Sequence, residues 1–308
     1  MLWAINVSFV FNRVIIKKTK LGDEKMKVCF KSILSLVVII GITLVVKGNL
    51  SHSVHAVGGH YYNGMTEPSA GKAYQKAKKV SNNDVIIKHY TKASSNQFKA
   101  VGRVSNKDGW KGRGKDSMGT GFMVDEHTFL TNAHVVENAK GQNTNPKYVT
   151  LDLNRDGKKI PYKFHATQIK KVPSYDIVLV HTKENMSKVA KVNPLKIASN
   201  SKINKLKFKD KLYSVGYPWQ GDDNTKSYWN QLVYLQKSVN QAEIMTKDKF
   251  RSGASGSPMV NGNFEVVGLR TYGYNLRGNS TFTYAKQEVS GGESLYGYPQ
   301  KYIKQNLK

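Results

Sequence analysis

From residue 98 onward the chain is a succession of short apolar runs separated by Gly, Asn, Asp and Pro, with no stretch that sustains a helical period over several turns. Such a texture predicts strands and closes off most helical folds. Strands are expected at residues 98–104, 121–124, 128–131, 148–153, 164–170 and 177–181, and a second set at 211–215, 229–239, 242–246, 258–260, 265–269 and 281–284. Asp156-Gly157 and Asn261-Gly262 supply tight turns between runs. The Lys- and Asn-rich stretch 191–209 divides the sets and reads as an interdomain connection. Only residues 300–307 read as a helix here, with Ile303 and Leu307 four apart on one face. The pattern implies an all-β protein of two barrels or sandwiches with a C-terminal helix.

The region before residue 98 has a different character. Met26-Lys27-Val28-Cys29-Phe30-Lys31 followed by the apolar run 33–46 has the basic and apolar regions of an export signal, with a cleavage site at Val54-His55-Ala56. A retained membrane anchor is the competing reading, because Lys47 follows the run directly. Residues 1–25 form an upstream extension, and residues 57–79, rich in Gly, Lys and Ser with a short helix expected over 73–80, form a propeptide or linker. The expected organisation is therefore 1–56 extension and signal, 57–79 propeptide or linker, 80–190 the first β-unit and 191–308 the second. The net charge of the whole chain is +27, and without residues 1–56 there remain 40 basic and 19 acidic residues, a net charge of +21. The cations are spread along the chain with no dense block that would read as a nucleic-acid arm, so they suit a general attraction to polyanions, for which nucleic acid, an anionic cell wall, a membrane surface or acidic proteins all qualify; an anionic cell wall or host surface is the expected partner, and no specific nucleic acid. The single cysteine, Cys29, lies in the signal, so the exported part has no disulfide, no thiol nucleophile and no Cys-based metal site. A secreted protein without disulfides points to a Gram-positive bacterial source.

Three local patterns carry chemistry. Gly253-Ala254-Ser255-Gly256-Ser257-Pro258 lies between two expected strands, and glycines on both sides of a serine permit a tight turn that exposes its hydroxyl. The N–H groups of Gly253 and Ser255 would then point into one small space, as a tetrahedral oxyanion requires. Leu130-Thr131-Asn132-Ala133-His134-Val135-Val136 puts a histidine just past a strand, in a setting that His127, His165 and His181 lack. Ser174-Tyr175-Asp176-Ile177 puts a carboxylate at the mouth of an apolar strand, where it needs a hydrogen-bonding partner and an imidazole could serve. Asp152, between Leu151 and Leu153, is the rival acid, but its alternating surroundings suggest a solvent-facing position.

The three occur in the order His, Asp, Ser, with the serine in the second β-unit, which is the chymotrypsin order and not that of subtilisins or α/β-hydrolases. Thr131 to Val136, Tyr175-Asp176-Ile177, Val215-Gly216-Tyr217-Pro218 and Gly253 to Pro258 together resemble the landmarks of the staphylococcal glutamyl endopeptidases, Spl-type proteases and exfoliative toxins. The resemblance runs from about Val80 to the C-terminus. It implies two six-stranded β-barrels of the trypsin/chymotrypsin-like fold with the active site between them, a triad of His134, Asp176 and Ser255, an oxyanion hole at Gly253 and Ser255, and no metal or organic cofactor. It also implies where an acidic side chain would be recognised: the family's histidine position is occupied by Arg270, its threonine position by Phe250, and its free N-terminal amine corresponds to Val80, which follows the basic pair Lys78-Lys79. Ala254 replaces the asparagine common before the nucleophile.

The function this implies is a secreted, monomeric serine endopeptidase acting on protein or peptide substrates, with cleavage after Glu or Asp. Two alternatives are an HtrA-type protease without a PDZ domain and a catalytically idle protease fold that acts as a binding protein or toxin.

Overall fold

The computed structural model describes residues 60–91, 97–221, 224–274 and 289–308. Six antiparallel strands form the first barrel: β2 (Val101–Asn106), β3 (Ser117–Met123), β4 (Thr128–Thr131), β5 (Val149–Leu153), β6 (Tyr162–Lys171) and β7 (Val178–Thr182). They close in the order β2-β3-β4-β7-β6-β5, with β5 pairing back onto β2. Val104, Phe122, Phe129, Leu151, Phe164 and Leu179 are wholly buried in its core. β-branched and aromatic residues suit such strands because their stiff side chains fill a pleated, closed surface.

The second barrel is built from β8 (Lys211–Gly216), β9 (Tyr228–Lys237), β10 (Glu243–Lys247), β11 (Pro258–Val260), β12 (Val266–Tyr274) and β13 (Val289–Ser294). The ring runs β9-β10-β13-β12-β11-β8 and is closed by β8–β9 pairing. An extra strand, β1 (Ile86–His89), pairs antiparallel with β9. Residues from 80 on were expected to open the first barrel, but β1 belongs to the second, because the exposed edge of β9 offers it a ladder.

The other departures have local causes. β13 reads Val-Ser-Gly-Gly-Glu-Ser and has no strand-like composition; it is held by neighbours β10 and β12 on either side. The strand expected at 281–284 lies outside the described residues. β12 continues past Leu269 to Tyr274, through buried polar residues that find partners in the interior. Helix α1 (Ser69–Ala77) begins four residues earlier than expected. Two short helices, α2 (Met186–Ala190) and α3 (Asn200–Asn204), each begin at a side-chain cap from Asn185 or Ser199. The C-terminal helix α4 (Tyr298–Gln305) begins two residues early because Pro299 suits its first turn, and it buries Ile303. Asp152, expected to face solvent, is fully buried and accepts from Lys163 Nζ at 2.6 Å and Arg155 Nη1 at 3.0 Å. Two cations recruit it inward, which strand alternation does not reveal. No described helix is long and apolar enough to cross a membrane, and the run 33–46 lies outside the described residues.

Leu179 sits in β7 between β4 and β6 with no exposed surface. Leu179→Ala should cost about 2–5 kcal/mol of unfolding free energy. Val189→Ala, on an exposed helix position, should stay within about 0.5 kcal/mol. Chemical denaturation of both variants checks the assignment of the core.

Candidate active site

His134 follows β4 on a single 3-10 turn, Ala133–Val135. The turn is tied down by the fully buried Asn132, whose Nδ2 donates to the Asp176 carbonyl at 2.7 Å and to Thr271 Oγ1 at 3.0 Å. One side chain thereby joins the end of β4, the approach to β7 and strand β12 of the other barrel. Asp176 receives His134 twice: the backbone N–H at Oδ1, 3.0 Å, and Nδ1–H at Oδ2, 2.6 Å. That bond fixes the proton on Nδ1 and leaves Nε2 as the basic nitrogen. The Asp176 side chain has no exposed surface. Burial pushes its carboxyl up, but the charge and hydrogen bonds of His134, with the charge of His60, outweigh burial and hold it below the ordinary value of 3.8. The stabilisation is therefore complete above that value and is lost as pH falls through the lower folded one.

Ser255 lies on the loop before β11, between Gly253 at φ +92° and Gly256 at φ +84°. Gly256 admits no side chain: a Cβ there would lie 2.1 Å from the Thr120 carbonyl oxygen and 2.4 Å from Thr131 Oγ1. Thr120 clamps this loop to the first barrel. Its N–H donates to the Ser255 carbonyl at 2.8 Å, its Oγ1 donates to the Gly253 carbonyl at 2.8 Å, and the same Oγ1 accepts from Tyr217 N at 2.9 Å. Thr120 escaped sequence reasoning; its only signal is its place between Gly119 and Gly121, both of which let β3 approach its neighbours closely. Among the described residues the N–H groups of Gly253 and Ser255 find no acceptor, whereas that of Ala254 bonds the Arg251 carbonyl. Ser255 is half-buried, and its Oγ donates to the Thr271 carbonyl at 3.1 Å rather than to His134. Ser257 is fully buried with its hydroxyl on the Ala254 carbonyl.

The expected specificity residues are arranged differently from a free carboxylate-binding fork. Arg270 is 1% exposed, and its Nε and Nη2 both donate to Asp248 Oδ2, at 3.0 and 2.7 Å. Ser290 Oγ donates to the same oxygen at 3.0 Å, and the guanidinium carbon lies 5.3 Å from the centroid of the Phe250 ring. Two parallel donors are thus already spent inside the protein, since a guanidinium this deep needs a counter-charge. Nη1 has no acceptor among the described residues. Val80 is buried, its N–H bonded to the Ala77 carbonyl and its own carbonyl accepting from Lys247 Nζ at 2.7 Å.

Of the other histidines, His165 pairs with Glu184 and His181 with Thr128, both away from Asp176. His60, which sequence reasoning left in the leader, stands beside the site. Its Nε2 donates to both Glu137 oxygens at 3.1 Å and lies 3.7 Å from Asp176 Oδ1. Among the described residues no group of His, Cys, Asp and Glu could hold a metal ion.

Two closed six-stranded barrels, with a histidine–aspartate pair on the first and a glycine-flanked serine on the second, define the chymotrypsin-like class. Residues 119–269, just under half of the chain, match the family described as Trypsin-like peptidase domain. A glutamyl endopeptidase of Staphylococcus epidermidis is 28% identical over 172 residues, 53% of this chain and 57% of the relative. The chain therefore spans little more than half the length of the curated relatives it matches. Among solved structures, a Glu endopeptidase in complex with MPD aligns with a TM-score of 0.53 at 18% identity, covering 71% of this chain and 95% of that one. The protease Anisep from Arthrobacter nicotinovorans aligns with a TM-score of 0.52 at 16% identity, over 71% of this chain and 98% of that one.

Two substitutions probe this geometry. Gly256→Ala should push the serine loop off Thr120 and abolish reaction of Ser255 with an active-site phosphonate, as read by intact mass. Arg270→Ala should cost about 3–5 kcal/mol because it strands Asp248, and the double change Arg270→Met/Asp248→Asn should recover most of it in chemical denaturation.

Proposed function

We propose that this chain is an exported serine endopeptidase with Ser255 as nucleophile, His134 as general base and acid, and Asp176 as the group that orients the imidazole. The observation that carries the proposal is the 2.6 Å bond from His134 Nδ1 to a carboxylate wholly removed from solvent, on the barrel whose Thr120 N–H also holds the Ser255 carbonyl. For attack, the Ser255 hydroxyl rotates from the Thr271 carbonyl toward His134 Nε2, which accepts its proton as Oγ bonds to the scissile carbonyl carbon. The oxyanion is then received by the unengaged N–H groups of Gly253 and Ser255, each worth roughly 3 kcal/mol. The imidazolium, stabilised by Asp176, returns the proton to the leaving amine, and water hydrolyses the acyl-enzyme by the same steps in reverse.

Cleavage after Glu or Asp is the specificity we assign, supported by the named activity of the Staphylococcus epidermidis relative and by the Nη1 of Arg270, which has no acceptor among the described residues. With Asp248 neutralising most of that cation, the acidic preference should be modest, and Asp248→Asn should strengthen it in a peptide library. Preference for basic residues before the cut would remove this specificity and leave the peptidase reading intact. Export rests on the apolar run 33–46, and the net charge of +21 beyond residue 56 suits retention at an anionic cell wall or host surface.

Ser255→Ala and His134→Ala should each lower peptide hydrolysis by about three orders of magnitude or more while preserving the fold. Ser257→Ala should be mild. A fluorophosphonate should label the unmodified chain and not Ser255→Ala; absence of labelling in the unmodified chain would turn the assignment to an idle, binding form of the fold.

A further inference from the structure

The segment 60–80 does not lie loosely outside the two barrels. Tyr62 is 4% exposed, its ring is 4.6 Å from that of Tyr272, and its hydroxyl donates to Asp176 Oδ2 at 2.7 Å. That oxygen is the one that accepts His134 Nδ1. The arm around Tyr62 is docked by specific bonds. Gly64 N donates to Glu243 Oε2 at 3.1 Å, beside the Tyr272 hydroxyl on the same oxygen, and a Cβ at Gly64 would collide with that hydroxyl. Asn63 Oδ1 accepts from Asn240 N at 3.0 Å, Ser69 Oγ accepts from Val239 N at 2.9 Å, and the buried Lys247 ammonium donates to the carbonyls of Ala77 and Val80. Tyr62, Met65, Ala73 and Ala77 form a second apolar cluster with Val233, Leu235, Met245 and Tyr274 of the second barrel.

We infer that Tyr62 is a positioning residue of the peptidase site, and that the arm carrying it is a working part of the active enzyme rather than a discarded leader. The inference rests on the triad reading proposed above. A carboxylate with no access to water depends on its hydrogen-bond donors, and His134 supplies two. Tyr62 supplies a third from outside the barrels and keeps the carboxylate plane matched to the imidazole. Burial first, and then the Asp176 charge, push the Tyr62 phenol well above its ordinary value, so it remains a protonated donor.

The start of the arm is also charge-sensitive. Burial lowers His60, but its bond to Glu137 and the charges of Asp176 and Glu137 outweigh burial and the opposing Lys171, so its value is raised above 6.5. With a raised histidine the holding energy is complete below 6.5 and is lost as pH climbs through the folded value. Amide exchange at Gly64, corrected for its intrinsic rate, should therefore be slower below that window than above it.

The decisive test is Tyr62→Phe in the full chain, which removes one hydroxyl and keeps the ring. Fluorophosphonate titration of reactive Ser255 supplies the active-site concentration, so failure of the triad reading would appear as no labelling in the parent chain. Given labelling, kcat per active site should fall about tenfold to a hundredfold with KM within about twofold, as expected for loss of a hydrogen bond to a charge. The acid limb of the kcat/KM profile should move to higher pH, because an undamped carboxylate favours the imidazolium. An unchanged kcat and profile, with only lowered thermal stability, would reduce Tyr62 to packing and overturn the inference. N-terminal sequencing of the labelled, active species should begin upstream of His60; a fully active species beginning at Val80 would equally overturn it.

Discussion

A carboxylate taken wholly out of water is tolerable only when donors and a counter-charge surround it, and the organisation of this protein follows from meeting that demand at Asp176. The backbone turn at His134, the imidazole and Tyr62 each deliver a hydrogen bond to it. Asn132 holds the carbonyl of the same residue and reaches across to Thr271, so the acid is registered against both barrels. The carboxyl of Glu293, buried nearby, is pushed well above its ordinary value by burial and then by the charges of Asp176 and Glu243.

The serine loop is governed by a different requirement, close approach. Thr120 spends both its backbone N–H and its hydroxyl on the loop, and only a glycine at position 256 lets the two barrels meet at that distance. Among the described residues the N–H groups of Gly253 and Ser255, on a loop with positive φ at Gly253 and Gly256, have no acceptor. The Ser255 hydroxyl rests on the Thr271 carbonyl at 3.1 Å.

Both barrels were legible because their strands alternate or are uniformly apolar and are punctuated by turn residues; strands 128–131 and 258–260 match their expected limits. His134, Asp176 and Ser255 stood out because each sits where its type is unusual, past a strand, at a strand mouth and between glycines. What escaped notice depends on tertiary pairing. β13 has no propensity of its own, Asp152 is drawn inward by Arg155 and Lys163, and Arg270 has its fork taken by Asp248, which lies 22 residues away in sequence. Tyr62 and His60 lie in a stretch whose composition reads as a leader, and only their contacts with Asp176 and Glu137 reveal another role.

The most direct measurement is a crystal structure of the fluorophosphonate-treated protein. It should show phosphorus bonded to Ser255 Oγ, the phosphoryl oxygen between the N–H groups of Gly253 and Ser255, and His134 still donating to an Asp176 that Tyr62 also holds. Phosphorus on any other side chain, or an oxygen turned away from those two N–H groups, would contradict the assignment of the nucleophile and of the site built around it.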